Sequence, residues 1–387
     1  MKAAKPSLPP VEERFDNLLI TPARVSQMMG RRSPGEVSFA ESEQNNARRR
    51  LLQVEKVAIK NKQIKADTDA SYLDRVNAAL HQRVFNLIQS HFTQPDTLAK
   101  EVLGLDENVA SLLDILSVKS TAISRIEPHA GALPWLFDEL LTVVNSPKFR
   151  RRDARGKIIL VESLRTALSF LGIDNLRLLL PSMILRKALP KITDPFPDIK
   201  NQLMQYAQGT ALTLRAIAPQ YNVKAHEAFA LGIFSQLGRC AIIRLYFKYF
   251  EQVQLDLLRE AEDDRDTALH AALTKLPASA NYLIAIQNMY ADNLNADIVA
   301  HMHFKHLELA PTYSASAVST NSNESLPGLL SSAQKYTAVR MLHQSKFIEK
   351  QEIPSVLASS GLTRPQRDIL KKIDIFQLPL TENTKAD

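Results

Sequence analysis

From Leu105 almost to the end of the chain, apolar residues recur every three or four positions, and no stretch alternates apolar with polar residues. That spacing marks one face of a helix, whereas a half-buried strand needs a period of two. The pattern therefore predicts an all-α fold, with no sheet. Val109, Leu112, Leu113 and Leu116 make the first strong stripe, behind Asp106 as a side-chain cap. Leu136, Leu140, Val143 and Val144 make the next, opened by Pro134 and stopped by Asn145-Ser146-Pro147. Ser163 caps a short helix that ends at Gly172, and Asp174 opens another that carries Pro181. Leu203, Tyr206, Ala207, Leu214 and Ile217 form a face ending at Pro219. Residues 224–250 read as two helices joined near Ser235 to Gly238. Further helices over 252–307 break at Pro277 and around Asn293, and Thr363 caps a last one.

The flanks read differently. Residues 1–70 carry five prolines and few apolar residues, so they are expected to form a flexible basic tail. Residues 71–104 add a helical segment whose face is Leu73, Val76, Leu80, Val84, Leu87 and Ile88. The main helical body spans 105–310. A Ser-, Thr- and Asn-rich linker is expected over 311–327, and helices packing on the core over 328–378. With no charge-free apolar run near the roughly 18 residues of a membrane span, no apolar leader and a single cysteine, a cytoplasmic protein without disulfides is expected.

Charge narrows the function. The formal net charge is +7, and residues 148–191 alone hold eleven Lys/Arg against three Asp/Glu. Lys148, Arg150, Arg151, Arg152, Arg155 and Lys157 put six cations into ten residues, where they repel one another and gain nothing from a core. The ordinary reading is a solvated loop. The functional reading is a docking site for carboxylate or phosphate groups, since arginine offers planar two-point hydrogen bonds. Phe149 is the only aromatic residue beside them, which argues against nucleic acid as the partner.

Two stretches stand out by order and spacing. One runs from Asn145-Ser146 through Phe149 and the basic loop to Ser163-Leu164, closes at Leu171-Gly172 and resumes at Leu176-Arg177. The other is Glu227 to Arg239. Together they resemble the HDOD family, the catalytically degenerate relatives of HD-type metal-dependent phosphohydrolases, the second being similar to the family helix that leads into His-Asp-Ile-Gly-Lys. The resemblance implies a multi-helix bundle and a bacterial regulatory protein, often tied to two-component or cyclic-dinucleotide pathways. It also implies that metal-ligand positions are lost. Ser235 and Gln236 stand where the His-Asp doublet would be, Gln208 where a histidine is common, and His306 echoes a histidine now without partners. A neutral hydroxyl and a neutral amide do not replace imidazole and carboxylate as divalent-metal ligands.

Other candidates are weaker. His301, His303 and His306 lack an acidic or thiol ligand at motif spacing, and His301 and His303 would lie about 200° apart on a helix. Cys240 sits in an apolar run, as structural thiols do. Glu260, Glu262, Asp263, Asp264 and Asp266 lack the loop glycines of a calcium site. The expectation is a non-catalytic signalling scaffold with no metal and no cofactor, acting on protein partners of acidic character. A binding module for an anionic nucleotide messenger is the second reading, and a divergent phosphohydrolase the third.

Overall fold

The computed structural model describes residues 8–31, 53–152, 157–307, 309–317 and 326–381. Helices dominate, as the spacing predicts. Helix α1 (Val11–Ile20) and α2 (Pro22–Met28) precede the long α3 (Gln53–Phe92) and the short α4 (Pro95–Thr97). Then come α5 (Glu107–Ser117), α6 (Ile123–Gly131), α7 (Pro134–Val144) and α8 (Leu164–Ala188). Helices α9 (Ile199–Ile217) and α10 (Ala225–Phe234) form an antiparallel pair. Next are α11 (Leu237–Asp263), α12 (Thr267–Lys275), α13 (Ala280–Ala300) and α14 (Ala310–Ala317). The chain closes with α15 (Leu326–Gln344), α16 (Ile353–Ala358) and α17 (Arg364–Leu370).

Local chemistry sets many of these boundaries. The Asp106 carboxylate accepts from the Asn108 and Val109 amides, opening α5. Ser163 accepts from the Thr166 amide, opening α8. Gly172 breaks α8 internally with a φ of 72°, a conformation that costs an L side chain energy. Thr363 and Gln366 form a reciprocal cap on α17.

Helix α9 lies at the centre, packed by α10, α15, α8, α17 and α1. Helix α11 packs against α13, α3 and α12, while α5, α6 and α7 gather on α8. One continuous core reaches from Phe15 to Ile375. Two stretches, Leu164–Ala188 and Ala225–Asp263, are long and apolar enough to cross a membrane by composition alone. In the bundle they are 67% and 89% buried by the other helices.

Several expectations need correction. The flexible tail over 1–70 gives way, within its described part, to α1, α2 and the start of α3. Phe15, Leu18, Leu19, Ile20 and Val25 are buried. Arg14, 1% exposed, donates to the Phe347 carbonyl and pairs with Glu352, so the N-terminal helix is clasped to the C-terminal extension. The Arg14 bond holds the Glu352 carboxyl below its ordinary range. On α3, Val76, Leu80, Val84 and Ile88 are buried as expected, but Leu87 is exposed. Helix α13 passes through Asn293 without a break. The linker expected over 311–327 begins as α14, with Thr312 and Tyr313 buried; 318–325 lie outside the described residues. A minimal antiparallel pair also exists, β1 (Arg151–Arg152) with β2 (Ile158–Ile159).

Candidate functional site

The residues of the two family-like stretches serve mainly as joints. Asn145 exchanges two hydrogen bonds with the Val161 backbone, each 2.9 Å, and so closes the base of the basic loop. Ser146 caps back onto the Val143 carbonyl. Arg177 donates to the Leu116 and Val118 carbonyls, satisfying the otherwise unpaired end of α5. His226 reaches the Ser117 carbonyl in the same corner, and burial lowers its affinity for a proton.

The α9–α10 crossing is set by glycine. A Cβ on Gly232 would lie 2.3 Å from the Ala211 Cα, so the helices touch backbone to backbone. One turn farther from their connection, Gln208 on α9 and Ser235-Gln236 after α10 stand at the same level of the pair. Ser235 donates to the Gly232 carbonyl at 2.8 Å, and the Gln236 amide nitrogen donates to the Ser235 hydroxyl at 3.0 Å. Gln236 is 1% exposed, and its carbonyl oxygen has no partner. Gln208 donates to the Phe376 carbonyl of the C-terminal segment. Thr337 of α15 and Phe376 crowd Gly209, where a Cβ would come within 2.5 Å of the Thr337 methyl. The C-terminal extension thus covers this face of α9.

The turn into α11 is equally tight. The Gly238 amide donates to the Asn295 side chain, and a Cβ on Gly238 would sit 2.0 Å from the Ala291 carbonyl oxygen. Arg239 bonds the Gln287 carbonyl oxygen. Cys240 is fully buried, and burial pushes its thiol up to about 12, which removes the reactive thiolate.

A divalent metal does not fit this corner. Its donors are a hydroxyl and two amides, all neutral; the hydroxyl and both amide nitrogens are engaged in hydrogen bonds within the protein. A cation held there would lack the charge that offsets its lost hydration. His306 belongs to another place. It lines a depression of about 640 Å³ with His129, His301, His303 and Asp114, which includes none of Gln208, Ser235 and Gln236. Asp114 there accepts from the amides of Lys305, His306 and Leu307, fixing the loop after α13. Among the described residues, no three His, Cys, Asp or Glu side chains are grouped to hold a metal. The acidic run of 260–266 is exposed apart from its alanine, and Asp266 caps α12.

The basic loop stands out from this joinery. Lys148 and Arg150 are exposed, with Lys148 over the ring of buried Phe149. Burial of Phe149 removes the one ring that could stack a base. Ile158, Ile159 and Leu160 on the returning strand are 38%, 49% and 65% exposed. Arg155 and the side chains of Arg151 and Arg152 lie outside the described residues, and Lys157 is exposed.

One cationic cluster has no sequence signal. Arg244, on α11, donates to the carbonyls of Lys187, Ala188 and Leu189, and so caps α8. It lines a cleft of about 1180 Å³ with Arg186, Lys187, Lys191, Lys200 and Lys248. The two groups, 186–200 and 244–248, are far apart in the chain.

No curated protein matches the chain, and no solved structure does. The family model of the HDOD domain matches residues 104–301, which takes in both family-like stretches, the α9–α10 crossing and the turn into α11; this chain belongs to the HDOD family.

Proposed function

We propose that this protein is a non-catalytic signalling scaffold that works through protein contacts. The observation that carries the reading is the α9–α10 corner. Where an HD-type enzyme would gather metal ligands, this chain has three neutral side chains: Gln236 donates to Ser235, Ser235 to the Gly232 carbonyl, and Gln208 to the Phe376 carbonyl of the C-terminal extension that covers this face of α9. Hydrolysis of phosphate esters by metal-bound water has no group here to hold the metal or take the proton.

The hairpin of the basic loop is the docking surface. Asn145 fixes its base, Lys148, Arg150 and Lys157 are exposed along it, and Ile158 to Leu160 add apolar area beside them. Cations next to exposed aliphatic groups fit an acidic protein segment that carries its own apolar anchors. The test is a nuclease-treated pull-down with the purified chain and with an Arg150→Glu, Arg151→Glu, Arg152→Glu variant shown to fold. A defined acidic protein that binds wild type stoichiometrically in a purified reconstitution, and not the variant, supports the reading. Metal-dependent phosphohydrolase activity in the purified chain contradicts it.

A further inference from the structure

The cleft between the end of α8 and the middle of α11 is open, large and lined by six cations, of which only Arg244 has a helix-capping role that accounts for it. Three cations come from the end of α8 and the segment that follows it: Arg186, Lys187 and Lys191. Lys200 comes from α9, and Arg244 and Lys248 from α11. None of the six forms an ion pair among the described residues. Glu101, Glu139, Asp194 and Glu251 also line the cleft without pairing to them, so the cations remain available.

Arg244 is the anchor. Its Nε and one terminal nitrogen are spent on three carbonyls, 2.6 to 3.2 Å away, which pin the guanidinium plane. Its Nη1 has no partner among the described residues and is not sealed from solvent. A fixed guanidinium with one free terminal nitrogen loses little entropy when it takes an anion. Lys187 is held over the Trp135 ring, and Lys248 over the Tyr249 ring, so two ammonium groups are also placed. A volume of about 1180 Å³ exceeds what a mononucleotide needs. Phe247 and Leu245 supply an apolar wall.

We propose that this cleft binds a small soluble polyanion with successive phosphate groups, Arg244 donating to one phosphate through its Nη1 and Lys191, Lys248 and Lys187 neutralising the next. The site is separate from the basic hairpin, and the proposal does not depend on the scaffold reading.

Calorimetric titration of the full chain with inorganic tripolyphosphate, and in parallel with ATP, tests it. Both should bind saturably, and more weakly as salt rises. A tighter ATP complex assigns the ligand to nucleotides, and equal affinity to inorganic polyphosphate. Lys191→Glu with Lys248→Glu, both exposed and unbonded positions, should weaken binding by roughly a hundredfold while the chain stays folded. Arg244→Gln should do the same, and its circular dichroism reports whether the α8 cap survives. The hairpin triple variant should bind as wild type. Absence of saturable binding for both probes, unchanged affinity in the Lys191/Lys248 variant, or loss in the hairpin variant overturns the proposal.

Discussion

The α9–α10 corner and the α8–α11 cleft are two polar places in one helical body, and they are built in opposite ways. At the corner the polar groups are neutral, Ser235 and Gln236 are buried and bonded to each other, and Gly232 and Gly238 bring backbone against backbone. At the cleft the polar groups are charged and line an open space, and Arg244 is pinned by hydrogen bonds to three carbonyls. Burying charge is costly and burying a satisfied amide is not, so a corner lined by neutral groups can close while a charged cleft stays open. On the proposed reading the corner is a joint, and anion binding falls to the cleft.

Gly238→Ala attacks the corner hardest. Its methyl would fall on the Ala291 carbonyl, so α11 and α13 must separate. Denaturant unfolding should show a loss of about 3 kcal/mol or more. Tripolyphosphate binding should persist wherever the variant is folded, which separates the two places.

Asn145→Ala removes both bonds to Val161 and leaves that buried carbonyl and amide unpaired. The expected cost is about 2 kcal/mol. The hairpin, no longer closed at its base, should be cut faster by trypsin under native conditions.

Acid sharpens the comparison. His81 is packed in the closed core, its Nδ1 donating to the Asn77 carbonyl and its ring stacked on Tyr282. His91 lines the cleft beside Lys248. Burial, first of all, lowers the proton affinity of His81, His91 and His226 below the ordinary 6.5. The unfolded chain therefore binds more protons, and stability is complete above about pH 6.5 and lost as pH falls through the lower folded values. The melting temperature should drop between pH 7 and 5, and His81→Gln should flatten that slope more than any change at the exposed His306.

Gln236→Leu carries the smallest expected effect and the most telling sign. It removes a buried carbonyl oxygen that has no partner, at similar volume, while Ser235 keeps its bond to Gly232. Stability should stay within about 1 kcal/mol or rise. Unfolding by urea checks it, and a loss above that range would mean the amide does structural work that the geometry does not display.

What could be read in the sequence was local. Asp106, Ser163, Gly172 and Thr363 act within one turn of themselves, so their caps and breaks are visible in the residue order. Gln208, Ser235 and Gln236 were singled out through family spacing alone, and they lie at one level of the α9–α10 pair. His306 was assigned by position alone, and it lines a different depression. The misreadings came from distance. Helix α1 looks too polar and too near prolines to belong to the core, because what covers Arg14 is Glu352, 338 positions away. The cleft cations are unremarkable one by one and meet only when α11 lies along the end of α8.

Metal content most directly tests the central claim that the ancestral site is closed. The purified chain would be incubated with excess Mn²⁺, desalted and measured by inductively coupled plasma mass spectrometry, beside Gln236→Leu. Far less than one metal per chain in both is the predicted result. About one Mn²⁺ per wild-type chain, lost in Gln236→Leu, would contradict the account and return the corner to catalysis.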